Sequence, residues 1–246
     1  MKAAEATAVG KRVSELIQTG DLGSARNLLL PVLTRRTPFR ALDRIGEEIG
    51  AGSLPSSISF LGSIAAEGTL GGWPVIGCAL AREADRDQSG AFERCQSFIV
   101  AADVWYATDI LGERVPSRSL AQDFDRTLAL LEPWRGNPNR WIRRAVGVGV
   151  HVWAKRSRGT PALAPRALTL LTFLEPMFEE DVLDAVKGIG WGLKTIGRFY
   201  PRELASWLHR QVVVAGRRYR KLMLRKALAC LPPDQRALAL GTAGLS

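Results

Sequence analysis

Cysteine and histidine are scarce: three Cys and two His in 246 residues. Cys78, Cys95 and Cys230 lie far apart and form no C-x-x-C pair, which excludes a zinc ribbon and a thioredoxin-type centre. His151 and His209 alone argue against a histidine-rich metal site, and neither a metal nor a cofactor is expected. Widely spaced thiols fit a reducing compartment. Strand signals are also sparse, with almost no sustained alternation of β-branched and aromatic residues against polar ones. No apolar run reaches the ~18 residues that a membrane span requires. The start, "MKAAEATAVGKRVSELI", is interrupted by Glu5, Lys11, Arg12 and Glu15 and lacks a secretory apolar core. Carboxylates are in deficit, 24 Asp plus Glu against 34 Lys plus Arg, for a net charge of +10. The expectation is a soluble, cytoplasmic protein with no membrane contact and a polyanionic partner, nucleic acid ahead of a membrane surface.

Helical spacing fills the chain instead. "EATAVGKRVSELIQTG" reads as a helix stopped by Gly20. "DLGSARNLLLPVLTRR" follows, with Asp21 as cap and Pro31 as a kink or break. "PFRALDRIGEEIG" ends at Gly50. Further helices are expected over 91–102, 104–113, 119–131, 139–155, 164–174, 180–197, 201–214 and 217–231. Two segments read as irregular: "EGTLGGWPVIG" (67–77) and the basic "KRSRGTPALAPR" (155–166). Helix pairs recur about every 35 to 45 residues, the period of HEAT-type arrays. The expected fold is all-α: a HEAT-like helical-repeat solenoid over residues 1–246, a single domain with a concave basic face, and a monomer.

Three stretches stand out. In "ADVWYATDILGERV", Trp105 and Asp109 are four apart and share a helix face; a core tryptophan beside a surface aspartate is the plain alternative. "NRWIRRAVGVGVHVWAKR" places Trp141, Ala145, Val148 and Val152 on a core stripe capped by Asn139. Arg143 and Arg144 stand at its start, where the helix dipole disfavours cations. Their charge serves either a nearby carboxylate, such as Asp109 or Glu132, or an external phosphate. In "KGIGWGLKTIGR", Gly188, Gly190 and Gly192 each weaken a helix by about 1 kcal/mol relative to alanine. They therefore suggest close backbone approach, to another helix or to a ligand. Trp191 lies among them, bracketed by Lys187, Lys194 and Arg198. Farther on, Arg217, Arg218, Arg220, Lys221, Arg225 and Lys226 make a basic stretch that reads as a solvated or a phosphate-tracking face. His151 is expected to pack or hydrogen-bond internally, and Trp73 and Trp153 to be core residues.

Trp105 with Asp109, "WIRR" ending at Arg144, and "KGIGW" ending at Trp191 occur in that order, with 35 residues from Asp109 to Arg144. In this the chain resembles the AlkD-type family of HEAT-like-repeat DNA glycosylases, the DNA alkylation repair proteins, most clearly over residues 90–231. The resemblance implies base-excision repair: hydrolysis of the N-glycosidic bond of a cationic N3- or N7-alkylated purine in duplex DNA, without an obligatory base-flipping pocket. It implies catalytic roles for Asp109, Trp105 and Trp191. It implies DNA contacts from Arg144, joined by Arg143, Lys187, Lys194, Arg198, Arg217, Arg218 and Lys221. Two other functions fit the composition: a non-catalytic binder of distorted or branched DNA, which would not require this carboxylate, and a protein-interaction scaffold, which would not require the charge.

Overall fold

Short polar side chains start many of the helices. Asp21 Oδ1 accepts from the Ser24 amide at 3.0 Å, Asp87 Oδ1 from Gly90 at 2.9 Å, and Asn139 Oδ1 from Trp141 at 2.8 Å. Each satisfies an amide that the first helical turn leaves unpaired. The computed structural model describes residues 1–211 and 218–241. Among these residues there are fourteen α-helices, two short 3-10 turns and no strand. No helix among them is long and apolar enough to cross a membrane. The chain divides into two compact units, Met1–Ser119 and Leu120–Ser246.

The first unit contains α1 (Ala3–Gln18), α2 (Leu22–Thr34), α3 (Phe39–Gly50), α4 (Leu54–Ala66), α5 (Gly72–Glu83) and α6 (Gln88–Ala102), and the start of α7 (Trp105–Gln122). The odd-numbered helices α1, α3 and α5 stack side by side, while α2 packs on α1 and both α4 and α6 pack on α5. Val13, Ile17, Leu42, Ile45, Ile49, Val75, Ile76 and Leu80 are buried. In the second unit, α8 (Phe124–Arg135), α9 (Arg140–Ser157), α10 (Ala164–Leu174), α11 (Leu183–Phe199), α12 (Pro201–His209), α13 (Arg220–Leu228) and α14 (Pro233–Ala239) repeat the scheme. Here α11 packs between α9 and α13, and α8, α10, α12 and α14 form the other layer. Each unit is thus built from helix pairs in two layers, a helical-repeat arrangement.

A close helix pair, α9 with α11, explains Gly188 and Gly192 of "KGIGWG". A Cβ on Gly147 of α9 would lie 2.4 Å from the Gly188 backbone, and one on Gly192 would lie 2.8 Å from the Gly147 carbonyl. The close approach at Gly188 and Gly192 is therefore to another helix. Gly147→Ala is expected to destabilise the protein. Helix propensity alone favours the change by about 1 kcal/mol, but two backbones must separate, which costs about 1–3 kcal/mol or more. Gly62→Ala is the control. Gly62 is also helical, nothing lies within 4 Å of its added Cβ, and only the propensity gain remains. Opposite shifts in thermal midpoint are expected; equal shifts would remove close approach as the reason for the glycine.

Several boundaries differ from the sequence expectation. Pro31 does not break α2, which runs through it to Thr34. The stretches expected at 104–113 and 119–131 are divided elsewhere: α7 continues through Pro116, and the break falls at Asp123, whose carboxylate caps α8. Residues 72–77, expected to be irregular, begin α5, with Trp73 and Pro74 buried in its first turn. Proline there forfeits no intrahelical bond. Helix α11 starts at Leu183 and not at 180, because Glu180 Oε1 accepts from the Val182 amide at 2.9 Å and holds a turn. Helix α12 ends at His209, and Arg217 lies outside the described residues.

Candidate functional site

In the first unit the chain breaks sharply before the W-x-x-x-D segment. Asp103 ends α6 in the left-handed region at φ 43°, and α7 restarts at Trp105. Trp105 is therefore the first residue of a helix, and it is 57% exposed. Tyr106 braces it edge-on, with ring centroids 5.8 Å apart. Asp109 follows one turn later and is half-buried. An exposed indole and a half-buried carboxylate at i and i+4 share a helix face, as the spacing predicts.

The second unit separates the two arginines of "WIRR". Arg143 is held internally: its Nε and Nη2 donate to the two carboxylate oxygens of Glu180 at 2.6 and 3.0 Å. Its Nη1 donates to the carbonyls of Asn137 and Pro138 at 2.6 and 3.1 Å. Expected as a DNA contact, Arg143 instead fastens the start of α9 to the turn before α11. Its carboxylate partner is Glu180 and neither of the two named from the sequence; Glu132 pairs with Arg135. Arg144 takes a different course. Its stem crosses Gly188, where a Cβ would lie 2.6 Å from its Cγ, and its Nη1 donates to the Asp184 carbonyl at 3.0 Å.

Lys187, Trp191, Lys194 and Arg198 fall on one stripe of α11, with the three cations exposed and Trp191 half-buried. Lys187 and Arg140 approach Asp184 at 3.7 and 3.6 Å. From α13 comes Lys226, whose stem lies across Gly190, where a Cβ would meet its Cδ at 2.4 Å. Burial lowers the pKa of Lys226, and the nearby charges of Lys194, Arg144, Arg225 and Lys187 lower it further. Cations gathered around Lys226 in this way define a local excess of positive potential, which an anion such as phosphate relieves. Lys226 was one of six basic residues in its stretch, and only its packing on Gly190 distinguishes it. Arg218 lies over the Tyr219 ring at 5.1 Å, Lys221 is exposed, and Arg220 pairs with Glu179.

His151 of α9 stacks on Trp191, with ring centroids 3.8 Å apart and planes 22° from parallel. Its Nδ1 lies 2.6 Å from the Thr195 hydroxyl, which donates to the Trp191 carbonyl at 3.0 Å. A hydroxyl has one proton, so Thr195 accepts from the imidazole N–H. Burial, followed by the charges of Lys155 and Lys194, lowers the His151 pKa to about 4. The internal hydrogen bond is the role expected from the sequence; the stack was not foreseen. The depressed pKa carries a consequence for stability. Below pH ~6.5 the unfolded chain takes up a proton that folded His151 refuses until pH falls to about 4. Stability should therefore drop on the order of 1–3 kcal/mol across that window. Urea midpoints between pH 7 and pH 4 should show a fall that His151→Phe abolishes.

The seven tryptophans sort themselves by environment. Trp73, Trp134, Trp141, Trp153 and Trp207 are buried at 2–5% exposure. Trp105 and Trp191, the two in the W-x-x-x-D and K-G-I-G-W segments, are exposed and half-buried.

The family profile described as DNA alkylation repair enzyme matches residues 74–231. The chain belongs to the DNA alkylation repair enzyme family. Among solved structures, the Pseudomonas fluorescens alkylpurine DNA glycosylase AlkC bound to DNA containing an abasic site analog aligns with a TM-score of 0.61 and 16% identity. The alignment covers 97% of this chain and 66% of that one, a likeness of fold. No curated protein matches significantly.

Proposed function

We propose that this protein is an alkylpurine DNA glycosylase of the AlkD type, acting on cationic N3- or N7-alkylated purines in duplex DNA. The observation that carries the reading is the tryptophan census. Of seven tryptophans, the two outside the core are those to which the resemblance assigns catalytic roles, while Trp141 of the WIRR segment is buried with the rest. Family membership and the structure of a DNA-bound glycosylase with this fold support it.

In this reading water attacks C1′ of the damaged nucleotide. The C1′–N bond breaks, and its electron pair passes to the base, which departs neutral. The sugar retains a hydroxyl at C1′, and the water proton leaves through Asp109 to solvent. Positive charge gathers on the sugar at the transition state. Asp109 stabilises it and orients the water, as a carboxylate does in sugar hydrolysis. Trp105 and Trp191 carry indole faces that attract positive charge. Arg144 grips a phosphate by charge-assisted hydrogen bonds, and Lys187, Lys194, Arg198 and Lys226 add sequence-independent attraction. Arg218 and Lys221 extend that attraction along the strand. A base that reacts within the duplex needs no deep pocket.

Hydrolysis itself is the test. A duplex with one N7-methylguanine should acquire an abasic site, detected as a strand break in mild alkali. A silent binder would retard the duplex in a gel and leave that strand intact. Arg144→Ala should weaken duplex binding and reduce the slope of log affinity against log salt by about one phosphate contact. An unchanged slope with lowered thermal stability would reduce Arg144 to an internal tie to Asp184.

A further inference from the structure

We propose that His151 is a positioning residue for Trp191: it holds the indole plane from beneath and presents the opposite face to the cationic sugar of the lesion. The inference rests on the glycosylase reading of Trp191 and adds a residue outside the three motif segments' assigned roles.

Three observations carry it. The first is the stack, a near-parallel contact with 3.8 Å between centroids and 22° between planes. The second is the hydrogen-bond chain that closes on the same residue. His151 Nδ1–H donates to Thr195, and Thr195 donates to the Trp191 carbonyl. The imidazole is thereby tied to the backbone of the residue whose ring it supports, so backbone and indole are fixed together. The third is that Trp191 stays half-buried despite the cations around it, and among the described residues no cation lies over its ring.

Charge explains why an imidazole suits this place. The face of an indole attracts cations through its quadrupole. A cation stacked beneath would satisfy that field and repel a second cation above. Lys155 and Lys194, the charged groups acting on His151 from α9 and α11, help burial to keep the ring neutral. A neutral ring supports the indole and leaves its other face able to meet positive charge. Phenylalanine can supply the same plane; alanine cannot.

The experiment compares two duplexes, one bearing a cationic pyrrolidine analogue of the abasic sugar and one its neutral tetrahydrofuran counterpart. Wild-type protein should prefer the cationic analogue by about tenfold, and Trp191→Ala should lose that preference. His151→Ala should lose most of it, His151→Phe should retain it, and both His151 variants should bind undamaged duplex as the wild type does. His151→Ala combined with Trp191→Ala should be no worse than Trp191→Ala alone, as expected for two residues acting as one unit. A preference that survives in His151→Ala but not in Trp191→Ala overturns the role of His151 and leaves the glycosylase reading standing. A preference absent from wild type, or kept by Trp191→Ala, overturns both. A variant that binds undamaged duplex more weakly and melts earlier marks a purely structural histidine.

Discussion

Replacing Asp109 by asparagine is expected to slow base release by about 100-fold or more while leaving duplex affinity unchanged or slightly higher. The asymmetry follows from where charge develops. In the ground state the sugar of an undamaged or alkylated nucleotide carries no positive charge for the carboxylate to stabilise. A carboxylate facing a phosphate backbone is, if anything, repulsive. In the proposed reaction the sugar becomes oxocarbenium-like at the transition state, and there the same carboxylate would lower the barrier. Asparagine keeps the shape and loses the charge. Asp109 is half-buried on α7 one turn from the exposed Trp105, so the substitution empties no core position. Single-turnover release and duplex titration on the same preparation check both arms. Release by Asp109→Asn at the wild-type rate removes Asp109 from the chemistry.

The second large effect concerns the leaving group. A purine alkylated at N3 or N7 is already cationic in the nucleoside and departs as a neutral molecule. Uracil departs as an anion unless an acid protonates it, and general acid catalysis is worth about 100- to 10,000-fold. The W-x-x-x-D segment holds no second carboxylate beside Asp109; its other ionisable group is Tyr106, whose ring stands edge-on to Trp105. The WIRR and K-G-I-G-W segments carry arginines and a lysine, which protonate a leaving group poorly, and the Nδ1–H of His151 is donated to Thr195. Release of N7-methylguanine should therefore exceed release of uracil by at least about 100-fold from otherwise identical duplexes. Equal rates would require an acid, and a pocket for an extruded base, that this reading does not contain.

How far the sequence discloses all this depends on the range of the signal. Periodicity and caps are local, so Asp21, Asn139, Gly20 and Gly50 mark helix ends that the structure keeps. Helix α2 runs on past Pro31 and α7 past Pro116, because a helix packed in a layered array gains more from burial than the missing amide costs. The glycines of α11 announce a close approach but not its object; Gly147 lies 41 positions before Gly188, a pairing no local pattern records. The same limit hid Glu180 as the partner of Arg143, Lys226 as the cation over Gly190, and His151 beneath Trp191. All three join segments that are close in the fold and distant in sequence. Exposure of Trp105 is equally invisible to spacing, since a buried tryptophan would give the same W-x-x-x-D pattern.

The most direct measurement is chromatography of the small molecules released when the protein is incubated with N-methylated duplex DNA. The account predicts free 3-methyladenine or 7-methylguanine in the supernatant, in amounts matching the abasic sites left in the DNA. DNA that is bound and retarded, with no free base above the spontaneous rate, would contradict it.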